Sequence, residues 1–331
     1  LSIALDAMGG DHAPEAILEG ALQAAPLLKY KLYLVGDTAR LKPLLPSSLP
    51  DNIELRHASQ AVEMAEKPLD AYKRKKDSSL MVAARLVKEG HAQAMVSAGN
   101  TGAASATALL TWRQLPGVHR PAIASLMPNR HGGFVLLDSG ASPDVDPEHL
   151  VEFAIMGRAY AQRVMGRANP KVHLLNIGEE EGKGNAFSKQ VHALLSRHDW
   201  FVGNIEGKGA YHDPCDVVVT DAFTGNVFLK ASEGLAELIV DTIREAVPTN
   251  PLLRSMYWPV KKAIAPLRKK MDYAEVGGSP LLGLNGLCTI CHGRSNPKAI
   301  KNALLMTQRA MENELVKTIK DAVHHDLGGN E

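Results

Sequence analysis

The residues Ser97-Ala98-Gly99-Asn100-Thr101-Gly102-Ala103 combine two glycines, three short hydrogen-bonding side chains and a helix-prone sequel, Ala104–Leu110. With the apolar run Ala94-Met95-Val96 in front, this pattern predicts a strand, a tight loop and a helix start. Asn100 or Thr101 can cap the first turn, and Gly99 and Gly102 let the backbone approach a ligand closely. Unpaired amides at such a helix start favour an anion, phosphate above all.

Two further loops set lysines among glycines, Gly178-Glu179-Glu180-Glu181-Gly182-Lys183-Gly184 and Gly203-Asn204-Ile205-Glu206-Gly207-Lys208-Gly209. Both lack the four-residue gap and the hydroxyl after lysine that a nucleotide P-loop requires. The glutamates of the first would also repel a polyphosphate tail. No G-x-G-x-x-G follows the first strand, so the dinucleotide fingerprint is missing. Cys288-Thr289-Ile290-Cys291-His292 has the spacing of a c-type haem attachment site, and it offers three zinc donors without a clear fourth. A buried cysteine pair is the simpler reading.

These loops need elements to hold them. Ser2–Asp6 reads as a buried first strand, passing through Gly9-Gly10-Asp11 into a helix over Glu15–Ala25 with Pro14 at its start. Lys31–Gly36 and Ile53–His57 read as strands, and Ser78 and Ser79 as caps for a helix over Leu80–Glu89. Ala122–Met127 and Phe134–Leu137 are short apolar runs with a turn over Asn129–Gly133. A long helix over Pro147–Gly166 follows, then strands at Val172–Ile177 and Phe201–Ile205 around a helix near Ala186–Arg197. Val217-Val218-Val219 has the β-branched, wholly apolar character of a central parallel strand. A helix then runs from Gly225 toward Val247, and a C-terminal helix spans 297–323 with an apolar stripe at Ile300, Leu304, Met311, Leu315 and Ile319. The repeated strand–glycine loop–helix units predict an α/β fold, an open, mostly parallel Rossmann-like sheet with helices on both faces and ligands beyond the strand C-termini. Residues 1–331 are expected to form a single α/β catalytic domain.

The 37 Lys plus Arg nearly cancel the 36 Asp plus Glu, and aromatic residues make up 5%, which argues against a nucleic-acid partner. Three cysteines in 331 residues fit a reducing compartment better than a disulfide framework. No leader-like or bilayer-length apolar run is present, so a cytoplasmic protein is expected.

Several longer motifs follow one another along nearly the whole chain. They are Asp6-Ala7-Met8-Gly9-Gly10-Asp11, Lys75-Lys76-Asp77-Ser78-Ser79, the Ser97–Ala103 loop and Leu175-Asn176-Ile177-Gly178-Glu179-Glu180-Glu181. Gly203-Asn204-Ile205-Glu206-Gly207, Gly225-Asn226-Val227, Gly277-Gly278-Ser279-Pro280-Leu281-Leu282-Gly283-Leu284-Asn285-Gly286 and His292-Gly293-Arg294-Ser295 complete the series. In these the chain resembles the bacterial acyl-acyl-carrier-protein:phosphate acyltransferases, the PlsX family of fatty acid and phospholipid synthesis. It departs from the family wording at Ser142, Gly182, Gly209 and Ala222.

The resemblance implies a fold similar to phosphate acetyltransferases and to the isocitrate/isopropylmalate dehydrogenases. It implies a homodimer that touches the inner membrane peripherally. The implied reaction moves a long-chain acyl group, reversibly, from acyl carrier protein to inorganic phosphate, with the acyl phosphate passing to a glycerol-3-phosphate acyltransferase. Such a transfer needs no cofactor and no metal: phosphate attacks the thioester, and the protein orients a dianion and stabilises the oxyanion. In that scheme Gly99, Asn100, Thr101 and Gly102 cradle phosphate. Lys76 or Lys183 neutralises it, and Asn204 or Asn226 orients it or the carbonyl. His292 is the candidate acid for the departing thiolate, and Asp6, Asp11 and Asp221 are candidate orienters. A covalent route through Cys291 is possible in principle but is not required.

The segment 252–272 is a basic amphipathic excursion. Leu253, Met256, Tyr257, Val260, Ile264, Leu267 and Met271 recur three or four apart among Arg254, Lys261, Lys262, Arg268, Lys269 and Lys270. Pro259 and Pro266 break it into short helices. A contact with anionic lipid or with acidic carrier protein is expected there, through Leu253, Tyr257, Lys261, Lys262, Ile264, Leu267 and Lys269. The rival readings are a short-chain acyl-CoA:phosphate acyltransferase, a metal- and nicotinamide-dependent dehydrogenase and a non-catalytic lipid-synthesis scaffold.

Overall fold

The computed structural model describes residues 1–245 and 273–327. The predicted excursion at 252–272, with every contact residue assigned to it, lies outside the described residues.

In chain order the first elements are β1 (Ser2–Asp6), α1 (Glu15–Ala24), β2 (Lys31–Gly36), α2 (Thr38–Leu41), β3 (Ile53–His57), α3 (Pro68–Arg74) and α4 (Ser79–Lys88). Then come β4 (Ala94–Ser97), α5 (Thr101–Trp112), β5 (Ala122–Ile123), β6 (Ser125–Met127), β7 (Phe134–Leu137) and α6 (Pro147–Arg163). The next are β8 (Val172–Asn176), α7 (Ala186–Leu195), β9 (Phe201–Glu206), α8 (Gly207–His212), β10 (Val217–Val219) and α9 (Ala222–Glu245). The last described are α10 (Tyr273–Val276), β11 (Ser279–Leu282), β12 (Leu287–Ile290), α11 (Pro297–Glu312) and α12 (Leu315–Leu327).

The α/β, mostly parallel character is as expected, but the strands divide between two sheets. One has seven strands in the order β3-β2-β1-β4-β12-β11-β5, with β11 antiparallel to both its neighbours. The other has five in the order β6-β7-β10-β8-β9, with β6 antiparallel to β7. The apolar run Ala122–Met127, continuous in sequence, supplies an edge of each sheet. The switch falls at Ala124, which is fully buried and gives its N–H to Pro280 O at 2.9 Å.

Long apolar helices lie against these sheets. Phe153 and Tyr160 of α6 are buried in the same core as Val217 and Val219 of β10 and Leu137 of β7. Gly157 lets α6 lie close to β10, since a Cβ there would sit 2.6 Å from Val217 Cγ1. The helix predicted over 297–323 is two helices. Glu314 takes a left-handed φ of 50° between α11 and α12, and the second helix turns back to pack on α6.

Candidate functional site

At the end of β1, Asp6 is buried beneath the loop that follows β4. Its Oδ1 accepts Ser79 Oγ at 2.6 Å and Met8 N at 3.3 Å, and its Oδ2 accepts Ser97 Oγ at 2.7 Å. Burial pushes the carboxyl pKa up, while the bonds from Ser79 and Ser97 pull it down. Ser97 Oγ in turn accepts Gly99 N at 3.1 Å, so the carboxylate fixes the anion loop from behind. A Cβ on Gly9 would lie 2.9 Å from Gly99 N, which shows how closely the two glycine loops pack.

Asn100 caps α5, its Oδ1 accepting Ala103 N at 2.9 Å. Its Nδ2 donates to Met64 O at 2.7 Å and Glu66 O at 3.0 Å. The side chain predicted to hold phosphate is therefore engaged in capping and in tying down the 64–66 loop. Thr101 and Gly102 remain as the cavity-facing part of this helix start.

They open onto a cavity of about 450 Å³ where the two sheets meet, at the C-terminal ends of β4, β7 and β12. Ile123, Ser125, Leu126, Ser139 and Gly140 form one wall, and Gly277, Gly278, Ser279, Ile290, Cys291 and His292 another. Asn226, Leu229, Lys230 and Glu233 of α9 cover it. A Cβ on Gly225 would collide with the carbonyl oxygen of Asp138, so only glycine lets the first turn of α9 press onto the loop after β7. The start of α5 and the Asn226–Glu233 face of α9 thus meet at one cavity. The α5 start and the Lys230 ammonium bring positive charge to it, which Glu233 partly offsets.

Three hydroxyls line its floor. Ser139 Oγ donates to Ile123 O at 3.0 Å, Ser125 and Ser139 Oγ are 2.7 Å apart, and Ser125 and Ser279 Oγ are 3.0 Å apart. Each hydroxyl has one hydrogen, so with Ser139 committed to Ile123 the chain runs Ser279 to Ser125 to Ser139. Beneath them the buried Asp138 carboxyl accepts Ile123 N at 3.0 Å, Gly140 N at 2.9 Å, Ala141 N at 2.9 Å and Ser142 N at 2.8 Å. Burial raises its pKa against the pull of those amides.

His292 is half-buried beside the cavity. Burial and then the Lys230 ammonium push its pKa below the usual histidine range, so the ring is neutral at pH 7. Its Nδ1 accepts Arg294 N at 3.2 Å, which leaves the ring hydrogen on Nε2. Nε2–H is thereby the hydrogen-bond donor offered by the residue read from sequence as the candidate acid. Lys230 is paired with Glu233 at 2.8 Å on the same helix face.

Of the sequence-predicted residues, Thr101, Gly102, Asn226 and His292 come together at the cavity, and others do not line it. Asp6 is a buried support. Asp221 caps α9, accepting Thr224 N at 2.9 Å and Thr224 Oγ1 at 2.7 Å. Lys183 is exposed and faces Glu180 at 3.7 Å, as an acidic loop dictates. Lys76 lies over the Tyr72 ring, 4.1 Å from its centroid. Asn204 donates to Glu180 O at 2.9 Å and is buried at the end of the second sheet. Cys288 and Cys291 are free, buried thiols, and burial pushes Cys291 up to about 12. The cysteines do not converge with His292 on a metal position; among the described residues the one such group is His119, His149 and Glu152, away from the cavity.

Lys230, Glu233 and the three serines were not singled out from sequence. Lys230 lies four residues after Asn226, so helical spacing alone would have put it on the same face.

The family model described as "Fatty acid synthesis protein" matches residues 1–318. The chain belongs to this family. A phosphate acyltransferase of Desulfitobacterium hafniense is 46% identical over 323 residues, covering 97% of each chain. One from Campylobacter concisus is 44% identical over 326 residues, 98% of this chain and 99% of the relative. Among solved structures, a phosphotransacetylase from Streptococcus pyogenes superposes with a TM-score of 0.65 at 16% identity, covering 94% of each chain. A 4-hydroxythreonine-4-phosphate dehydrogenase from Klebsiella pneumoniae gives 0.52 at 13% identity, covering 93% of this chain and 97% of that one. These two share the fold with this member of the fatty acid synthesis protein family.

Proposed function

We propose that this phosphate acyltransferase transfers a long-chain acyl group, reversibly, from acyl carrier protein to inorganic phosphate bound in the cavity. The observation that carries the reading is the convergence of the α5 start with Asn226, Lys230 and His292 on one cavity that also has apolar walls at Ile123, Leu126, Leu229 and Ile290. The α5 start and Lys230 suit a phosphate dianion. The apolar walls suit the acyl end of the thioester.

In the forward direction a phosphate oxygen attacks the thioester carbonyl carbon, and the C–S bond breaks as the carrier thiolate leaves. Thr101 and the amides around Gly102 hold the phosphate beside the carbonyl. His292 Nε2–H hydrogen-bonds the developing oxyanion or the departing sulfur. Asp6 and Asp138 act as positioning residues, one beneath each glycine loop. Cys291 takes no covalent part, because a buried thiol with so high a pKa carries almost no thiolate.

The acyl phosphate is handed to a glycerol-3-phosphate acyltransferase, and the working species is a homodimer in peripheral contact with anionic membrane. Phe223, Val227, Leu235 and Leu238 support the dimer, since they leave α9 with exposed apolar side chains. No helix among the described residues is long and apolar enough to cross a membrane.

The test is a reconstituted assay with palmitoyl-carrier protein, with and without phosphate, following acyl phosphate directly. Phosphate-dependent acyl phosphate together with free carrier thiol is expected. Thioester loss at the same rate without phosphate, yielding free acid, refutes the proposal. Faster turnover of acetyl-CoA than of the carrier-bound substrate would favour the short-chain reading instead.

A further inference from the structure

Outside the cavity, a buried carboxylate meets two histidines. Glu152 lies in the second turn of α6 with its side chain 4% exposed. Its Oε2 accepts His119 N at 2.8 Å, and its Oε1 lies 2.6 Å from His119 Nδ1. His149 precedes Glu152 by three residues, so both occupy one face of α6. His119, on the loop between α5 and β5, folds over that face with its ring centroid 5.9 Å from that of His149. One donor atom from each of the three side chains lies within 4.8 Å of the others.

We propose that His119, His149 and Glu152 bind a divalent transition-metal ion, with zinc the best match. Two imidazole nitrogens and one carboxylate oxygen form a recurrent zinc donor set, which water completes to four. Glu152 is buried, and a lone buried carboxylate is costly. His119 offers it hydrogen bonds, and a dication would offer charge and a bond together. Donors in a tetrahedral zinc site lie about 3.3 Å apart, so pairs near the 4.8 Å limit must close while His119 Nδ1 and Glu152 Oε1, 2.6 Å apart, must open. The His119 side chain is 72% exposed and is the one with room to re-aim a ring nitrogen. His149 Nδ1 accepts Asp146 N at 2.9 Å, a bond that rotation of the ring or a change of tautomer gives up on coordination. None of the three residues lines the phosphate cavity. The ion therefore acts structurally, clamping the α5–β5 loop to the start of α6, and the site stands whether or not the proposed reaction does.

The test is calorimetric titration of the full-length, tag-free chain with zinc chloride in chelator-cleared buffer, repeated on His119→Ala, His149→Ala and Glu152→Gln. One saturable zinc per chain is expected, with affinity at least about tenfold weaker in each histidine variant. Zinc should raise the melting temperature of the parent and much less that of the variants. Cobalt should give the visible absorption of a four-coordinate site in the parent and lose it in His149→Ala. Should Glu152→Gln fail to fold, the two histidine variants still decide. No saturable uptake by the parent, or an affinity equal to the parent's in His119→Ala and His149→Ala, overturns the proposal.

Discussion

Removing the Asp6 carboxylate should separate support of the phosphate loop from chemistry on the substrate. In Asp6→Ala, Ser79 Oγ and Ser97 Oγ lose an acceptor at 2.6 and 2.7 Å, and both are buried. A hydrogen bond to a charged group contributes about 1.5–3 kcal/mol, and losing both is partly offset because a buried carboxylate no longer has to be desolvated. The net loss should be about 3 kcal/mol. With an unfolding entropy of about 2.1 cal/mol/K per residue, that lowers the melting temperature by about 4–5 °C if unfolding is two-state. Ser97, no longer held, releases Gly99 N, and the loop ahead of Thr101 loosens. The KM for phosphate should therefore rise by about tenfold while the KM for the acyl donor changes little. Asp6→Asn should recover most of the stability, because its amide can donate to a serine hydroxyl that turns to accept. Calorimetry and initial rates with each substrate varied in turn provide the check. An unchanged phosphate KM in a destabilised Asp6→Ala protein would refute the link from Asp6 through Ser97 to the anion loop.

Gly225→Ala places a methyl against the Asp138 carbonyl and should cost about 1–3 kcal/mol by denaturant melts, with loss of phosphate-dependent turnover as α9 lifts from the cavity. His292→Ala should lower kcat by about 100-fold, whereas His292→Gln, which keeps an N–H donor, should lose less in the same assay. Cys291→Ser should keep most of its phosphate-dependent turnover and form no acyl-enzyme detectable by mass spectrometry. Burial depresses the pKa of His173, His198 and His292, so unfolding takes up protons at these positions. Stability should be full above about pH 6.5 and should fall as pH drops through the depressed values; melts at pH 7.5, 6.5 and 5.5 would show it.

Local signals were readable because their physics is local. Asn100 ahead of a small-residue helix, Ser78 ahead of α4 and the turn between β6 and β7 all appear in the structure as expected. The parallel pairing of Val217–Val219 with strands on both sides bears out its wholly apolar composition. The division into two sheets was not readable, since Ala122–Met127 has no polar break at Ala124. The serine floor was hidden for a related reason: Ser125 and Ser279 are 154 residues apart, and isolated serines carry no spacing signal. Asp6 and Lys183 misled in opposite ways. A carboxylate among glycines suggests chemistry, yet the Asp6 partners Ser79 and Ser97 arrive from 73 and 91 residues away and bury it. A lysine among glycines suggests an anion, yet Lys183 faces the nearest glutamate of its own loop.

The order in which strands join the seven-stranded sheet bears on how the chain is born. Neighbours β4 and β12 are far apart in sequence, and β11 and β12 fill the gap between β4 and β5. A ribosome has thus delivered all of the five-stranded sheet before the middle of the other exists. Until the segment 279–292 emerges, the growing polypeptide presents the bare edge of β4 and lacks one wall of the cavity. Such an open edge invites chaperones during synthesis, and a chain stalled short of that point would recruit them while its cavity is incomplete.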